Sequence, residues 1–183
     1  MTDRPAVQPV TFRPIGIIRS PFVDTAGMPI QATAAVGVKG RIELDPDLVE
    51  GLADLDGFSH LTLLYHLHLI TSARLTVTPF LDDEARGIFA TRSPARPNAI
   101  GISTVRLVAI NGSAIDIEDV DVVDGTPLLD IKPYVPAFDD REGVRVGWFA
   151  ERLGRLSETL ADDRFGAEGS RPGGKDQVIT DGS

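Results

Sequence analysis

The sequence predicts an all-β fold, a small antiparallel β-barrel with a C-terminal α-helix. Three observations carry the expectation. Apolar residues alternate with polar ones at a period of two through the first three quarters of the chain, β-branched residues are frequent there, and turn pairs recur at short intervals. Many short strands joined by tight turns, with little helical periodicity, indicate a barrel or sandwich.

Taken in order, strands are expected near 11–19, 36–44, 58–70, 74–79, 86–92, 101–110, 113–122 and 128–133. Asp45-Pro46 ends the second, Asp82-Asp83 separates the fourth from the fifth, and a proline-rich loop separates the fifth from the sixth. Asn111-Gly112 points to a hairpin between the sixth and seventh, because both central positions of a type I′ turn need positive φ. Asp124-Gly125 separates the last two. From Arg141 the period changes: Val144, Trp148, Phe149, Leu153, Leu156 and Leu160 fall three to four apart, which puts an apolar stripe on one helix face. That helix would cover the barrel or dock on a second subunit. Residues 166–183 are rich in Gly, Ser and charge and are expected to form a flexible tail after a domain spanning 1–165.

A chain of 183 residues with 42% hydrophobic content buries one good core and is short for two domains. It has no cysteine, which excludes disulfides, thiolate nucleophiles and cysteine-based zinc sites. No apolar run approaches the roughly 20 residues of a membrane span, and Met-Thr-Asp-Arg-Pro lacks a signal-peptide core, so a cytoplasmic protein is expected. The formal charge of −9 argues against broad affinity for nucleic acid, DNA included. The charge is uneven, however. Residues 81–110 carry four positive and three negative groups, whereas 111–140 carry one and eight, so a local basic spot on an acidic body remains.

That basic spot coincides with Thr91-Arg-Ser-Pro-Ala-Arg-Pro-Asn-Ala-Ile-Gly101. Pro94 and Pro97 fix their own φ and push Ser93 and Arg96 toward extended backbone, so Arg92, Arg96 and Asn98 lose little entropy on engaging a ligand. Such donors suit anionic or nucleotide-like groups. A proline-rich turn with solvated arginines reads the composition equally well. On strand 58–70, His60, Thr62, His66 and His68 share one parity and Leu61, Leu63, Tyr65, Leu67 and Leu69 the other. The histidine row admits three readings: a partly buried row, a ligand-facing His68, or a cupin-like metal pair at His66 and His68, for which a third histidine distant in sequence and a nearby carboxylate are missing. Asp124-Gly-Thr-Pro127 is either a plain turn or a glycine turn that lets backbone approach a flat ring, with the Asp124 carboxylate accepting a hydrogen bond or a proton. No G-x-G-x-x-G after a strand, P-loop, H-E-x-x-H or G-x-S-x-G is present, which argues against a doubly wound cofactor-binding fold.

The 91–101 segment resembles the signature of the TrmO/TsaA-like family, S-adenosylmethionine-dependent tRNA methyltransferases built on a small β-barrel. Ile15-Gly-Ile-Ile-Arg-Ser-Pro-Phe22, Gly57-Phe-Ser-His-Leu61 and Val120-Asp-Val-Val-Asp-Gly-Thr-Pro-Leu-Leu-Asp-Ile-Lys-Pro-Tyr-Val-Pro136 are similar to the family's other segments, in its order. The resemblance implies S-adenosylmethionine as cofactor, no metal, and methyl transfer to the exocyclic amine of threonylcarbamoyl-adenosine beside the anticodon of tRNA. It implies cofactor contacts from Ile30, Gln31, Ala32, His68, Leu69, Arg92, Ile102, Asp124, Gly125, Thr126 and Pro127, with Ile30 standing where an arginine is common. Arg96 and Asn98 are expected to orient cofactor or substrate, and Asp124 to take the proton. A homodimer with the site near the subunit boundary is also implied. A non-catalytic S-adenosylmethionine-binding module is the alternative from another class.

Overall fold

The computed structural model describes residues 8–152, 154, 159–162 and 178–179. Six strands form a closed antiparallel barrel: β1 (Gly16–Arg19), β2 (Lys39–Leu44), β3 (His60–His66), β7 (Ile100–Asn111), β8 (Ala114–Glu118) and β9 (Thr126–Pro133), in the spatial order β1-β2-β8-β7-β3-β9. Among the described residues four two-residue strands lie outside it, β4 (Ala73–Arg74), β5 (Thr76–Val77), β6 (Arg86–Gly87) and a last one near the C-terminus, and β5 pairs with β6. Period-two alternation is what closes the barrel. Ile18, Ile42, Leu61, Leu63, Val105, Ile115, Ile117 and Leu128 all point inward and are almost completely buried, while the residues between them face out. A smaller cluster of Val77, Ile88 and Ala95, with Phe80 against it, lies beside the barrel under the proline-rich loop.

Two strands are bulged. β3 shifts register against β9 between Leu64 and Tyr65, and β7 shifts against β8 between Leu107 and Ala109. Bulges sharpen the local twist, which a small closed sheet needs. Gly101 lies opposite Tyr65 across the β3–β7 ladder, and a β-carbon there would run into the Tyr65 ring. Glycine at 101 therefore lets the tyrosine ring cross its neighbouring strand.

The structure corrects several expectations. The hairpin joining β7 to β8 pairs Asn111 with Ala114, so its two loop residues are Gly112 and Ser113, not Asn111-Gly112. Only Gly112 has positive φ, at 60°, the pattern of a type II′ rather than a type I′ turn. The strand expected over 58–70 stops at His66. His68 then donates its amide to the His66 carbonyl at 2.8 Å, which turns the chain and takes His68 off the row it was expected to share with His60 and His66. The expected strand 86–92 ends after Gly87 in a 3₁₀ turn, Ile88–Ala90, and the stretch between β2 and β3 carries two more such turns, Pro46–Leu52 and Leu55–Gly57. Asp45 caps the longer one by accepting from the Asp47 amide at 3.1 Å.

The C-terminal apolar periodicity is realised differently from a continuous helix. A single α-turn, α1 (Pro136–Asp139), precedes it, and Gly147–Glu151 is a 3₁₀ turn. Gly143 and Gly147 both have positive φ, 67° and 58°, which interrupts helical geometry at the point where the period suggested it should run. Leu153 and Leu156 lie outside the described residues, and Leu160 forms an antiparallel bridge to Pro29. The expected tail 166–183 also lies outside the described residues, apart from β10 (Val178–Ile179), which pairs with β4.

Candidate functional site

One rim of the barrel opens into a cavity of about 740 Å³. Its floor comes from barrel strands and their ends, through Tyr65, Gly101, Asp121 and Thr126. Its sides come from the 28–31 loop, the 67–70 turn after β3 and the proline-rich loop, and its outer wall from Phe80, Val146, Trp148, Phe149 and Ala161. Size and a mainly apolar lining with a few convergent polar groups are what a small-molecule pocket requires.

The proline-rich loop is rigid because it bonds to itself. Thr91 Oγ1 donates to the Ile88 carbonyl at 2.9 Å and accepts from the Ser93 amide at 3.2 Å. Arg96 donates through Nη1 to the carbonyls of Ile88 and Thr91, at 3.2 and 2.9 Å, and its guanidinium lies 5.9 Å from the Phe89 ring. Part of that guanidinium is thus committed to holding the loop, although Arg96 also lines the cavity. Arg92 is free of such duty. It donates to Gln31 Oε1 at 3.0 Å, which ties the proline-rich loop to the 28–31 loop across the opening.

The deepest polar feature is a chain of three side chains. Tyr65 OH lies 2.9 Å from Ser103 Oγ, and Ser103 Oγ donates to Asp121 Oδ1 at 2.6 Å. Ser103 has one hydroxyl hydrogen and gives it to the carboxylate, so the Tyr65 hydroxyl must be the donor of the first bond. Burial pushes the Asp121 carboxyl up to about 6, against the opposing pull of the Ser103 bond, backbone amides including that of Ala32, and the nearby Arg92 charge. Burial, reinforced by the Asp121 charge, also raises the Tyr65 hydroxyl, which keeps its proton at any physiological pH. A second polar observation is Ser93, 7% exposed, whose Oγ has no partner among the described residues although Ser93 lines the cavity. Buried hydroxyls are normally bonded, so an orphan at a cavity wall is suited to a ligand atom.

The outer wall is anchored by charge. Asp82, with its side chain 1% exposed, accepts from Arg86 Nε at 2.8 Å, Arg152 Nη2 at 2.9 Å and the amides of Asp83 and Glu84. Burial opposes the charge, but these donors outweigh it and hold the carboxyl below its ordinary range. Trp148 donates Nε1 to the Ala90 carbonyl at 2.8 Å, stacks on Phe149 with ring centroids 3.8 Å apart, and lies under the Arg86 guanidinium. Farther along, Gly27 and Met28 exchange backbone bonds of 2.8 and 2.7 Å with Ala161.

Of the residues singled out from sequence, Ile30, Gln31, His68, Leu69, Arg92, Arg96, Ile102 and Thr126 line this cavity. Ala32, Asn98, Asp124, Gly125 and Pro127 do not. The Ala32 amide reaches Asp121, and Asn98 is exposed, using its carbonyl to accept from Ile100. Asp124 is turned toward β1: its Oδ1 accepts from the Ser20 amide at 3.1 Å and its Oδ2 lies 3.6 Å from Arg19. Gly125 has φ of 78° and donates to the Ile18 carbonyl, so the turn serves to close β9 onto β1. His66 is exposed and His68 is off the strand, so the two do not share the strand face on which the metal-pair reading placed them; among the described residues no three His, Asp or Glu side chains are grouped to hold a metal ion. The residues missed from sequence are Tyr65, Ser103 and Asp121. A signal existed for the last: a carboxylate set between Val120 and Val122, both buried, is costly there unless it faces something polar.

Residues 17–140 match the family model described as the tRNA-methyltransferase O N-terminal domain. The chain belongs to the TrmO family. Its relatives are named either for S-adenosylmethionine binding or for tRNA methylation. The chain is 52% identical over 156 residues to a "Probable S-adenosyl-L-methionine-binding protein" of Pyrococcus abyssi, covering 85% of each. It is 36% identical over 141 residues to the human tRNA (adenine(37)-N6)-methyltransferase, covering 72% of this chain and 31% of the human protein. The crystal structure of TrmO from Pseudomonas aeruginosa superposes with a TM-score of 0.67 at 38% identity, over 76% of this chain and 62% of that one. The chain thus spans less than two thirds of the solved TrmO chain. The cavity-lining residues Val146, Trp148, Phe149, Ala161 and Asp162 lie beyond the TrmO-matched segment.

Proposed function

We propose that this cavity binds S-adenosylmethionine and that the chain transfers its methyl group to the exocyclic amine of an adenosine in tRNA, the threonylcarbamoyl-modified adenosine beside the anticodon. One observation carries the reading: the TrmO-signature loop, with the Arg92 guanidinium bonded to Gln31 across the opening, and a part-buried carboxylate, Asp121, face the same cavity. The residues fit the cofactor's chemistry. Arg92 suits its carboxylate, the orphan Ser93 hydroxyl suits a polar ligand atom, Leu67, Leu69 and Ile102 suit the faces of adenine, and Asp121 is the charge that a sulfonium prefers nearby.

When bound, S-adenosylmethionine supplies an electrophilic methyl group, so displacement needs no metal and no covalent intermediate on the protein. What remains for the protein is alignment, exclusion of water and acceptance of a proton. The stiff proline-rich loop and the Arg92–Gln31 bond fix one side of the ligand. Trp148 and Phe149 close the other. The exposed Leu69, Ile100 and Ile102 at the rim support a homodimer that meets near the site.

The test is incubation with methyl-labelled S-adenosylmethionine and tRNA from cells lacking the modification, followed by mass spectrometry of nucleosides. Methylated threonylcarbamoyl-adenosine is the expected product, and Arg92→Ala should weaken cofactor binding by roughly tenfold, the size of one charge-assisted bond. The naming of the Pyrococcus relative for binding alone favours a second reading, a non-catalytic binding module. Tight cofactor binding with no methyl transfer to any tRNA fraction would select it.

A further inference from the structure

We propose that Asp121 is the proton acceptor of the methyl transfer, oriented by Ser103 and Tyr65 as positioning residues. The inference rests on the methyltransferase reading and adds to it the group that does the acid–base work. Its basis is geometric. Asp121 is the carboxylate of the cavity floor, and its Oδ1 is fixed at 2.6 Å by Ser103, which is itself held by the Tyr65 hydroxyl at 2.9 Å. Tyr65 reaches Ser103 only because Gly101 leaves room for its ring. Both positioning residues sit on barrel strands, β3 and β7, so the carboxylate inherits the rigidity of the barrel instead of the mobility of a loop.

An amine conjugated to a purine ring is a weak nucleophile, and it becomes acidic as it acquires a fourth substituent. In the step, the nitrogen lone pair forms the bond to the methyl carbon, the carbon–sulfur bond breaks with its electrons remaining on sulfur, and the N–H proton passes to the Asp121 carboxylate. Charge balances: a sulfonium and a carboxylate become a neutral thioether and a carboxylic acid. Desolvation makes Asp121 a stronger base than an exposed aspartate while leaving it ionised near neutrality. Arg92 faces it from the proline-rich loop, and the other titratable cavity-lining groups among the described residues are Tyr65, His68, Arg96 and Asp162. Asp124, by contrast, is occupied with Ser20 and Arg19 outside the cavity lining.

The experiment compares the full chain with Asp121→Asn, Asp121→Glu and Ser103→Ala. Single-turnover transfer should fall about 100-fold or more in Asp121→Asn, within the usual reach of general-base catalysis, and recover in part in Asp121→Glu. Calorimetry should show S-adenosylmethionine affinity in Asp121→Asn falling far less than the transfer rate, by no more than the lost attraction to the sulfonium. A carboxyl raised in the folded state favours the protein below the ordinary aspartate range and costs it stability as pH rises past about 6. Asp121→Asn should therefore melt at or above the parent temperature at pH 7.5, which loss of a merely structural carboxylate would not produce. Ser103→Ala, which removes a donor to the ionised form, should move the acid limb of the rate profile and the NMR titration of Asp121 upward. Parental transfer rates in Asp121→Asn, or a rate loss matched by equal loss of cofactor affinity, overturn the assignment and leave the methyltransferase reading intact. Absence of transfer in the unsubstituted chain overturns both.

Discussion

In the barrel, Ile18, Ile42, Leu61, Ile115 and Leu128 are all fully buried and each strand is paired on both sides. In the outer cavity wall, from Phe80 to Arg96 and through Val146, Trp148, Phe149 and Ala161, the one strand among the described residues is two residues long, and attachment runs through Asp82, Arg86, Arg152, Trp148 and the Ala161 backbone. The first region is a non-directional apolar core whose loss is felt everywhere. The second is a set of directional bonds over a small cluster, Val77, Ile88 and Ala95, and is expected to open at a lower free-energy cost than the barrel.

The largest expected effect lies in the barrel. Leu128→Ala removes a side chain with no exposure from the middle of the core, and should cost about 2–5 kcal/mol of stability by urea denaturation. A loss well under 1 kcal/mol would mean that the core is looser than its packing implies. Next comes the wall. Asp82→Asn should lower S-adenosylmethionine affinity several-fold and speed hydrogen exchange over 147–152, while the melting temperature falls less than in Leu128→Ala. Because Asp82 titrates below its ordinary range, its anchoring is complete above that range and lost as pH falls through it, so exchange in the parent wall should rise selectively below about pH 4. Equal exchange in wall and barrel would erase the distinction between them. The smallest effect belongs to Arg41→Ala: its pair with Asp116 is solvent-exposed, and neither melting temperature nor transfer rate should change measurably.

The barrel was legible in the sequence because its determinant is local. Alternation such as Leu61-Thr62-Leu63 states which face is buried, and Gly112 and Gly125 mark turns by their conformational freedom. Strand ends were read less well. The turn at His66–His68 arises from a backbone bond that no periodicity announces, and it moved His68 away from the metal-pair reading. The wall was illegible for a different reason. Trp148 meets Ala90 across 58 positions and Arg152 meets Asp82 across 70, and Gly143 and Gly147 break a helix that the spacing of Val144, Trp148 and Phe149 suggested. For the site, the proline-rich loop stood out by composition. Asp121 did not, because Asp124-Gly125 three positions on carries the louder turn signal, and only the fold reveals that one carboxylate faces the cavity while the other faces β1.

Closure of the six strands has one more consequence. A barrel joined through β1–β9 presents no unsatisfied row of amides and carbonyls along its flank, so it offers no template for adding a strand from another molecule. Association between copies of the barrel is then restricted to side-chain contact across its surfaces, which can be reversed by single substitutions and does not seed fibrous growth.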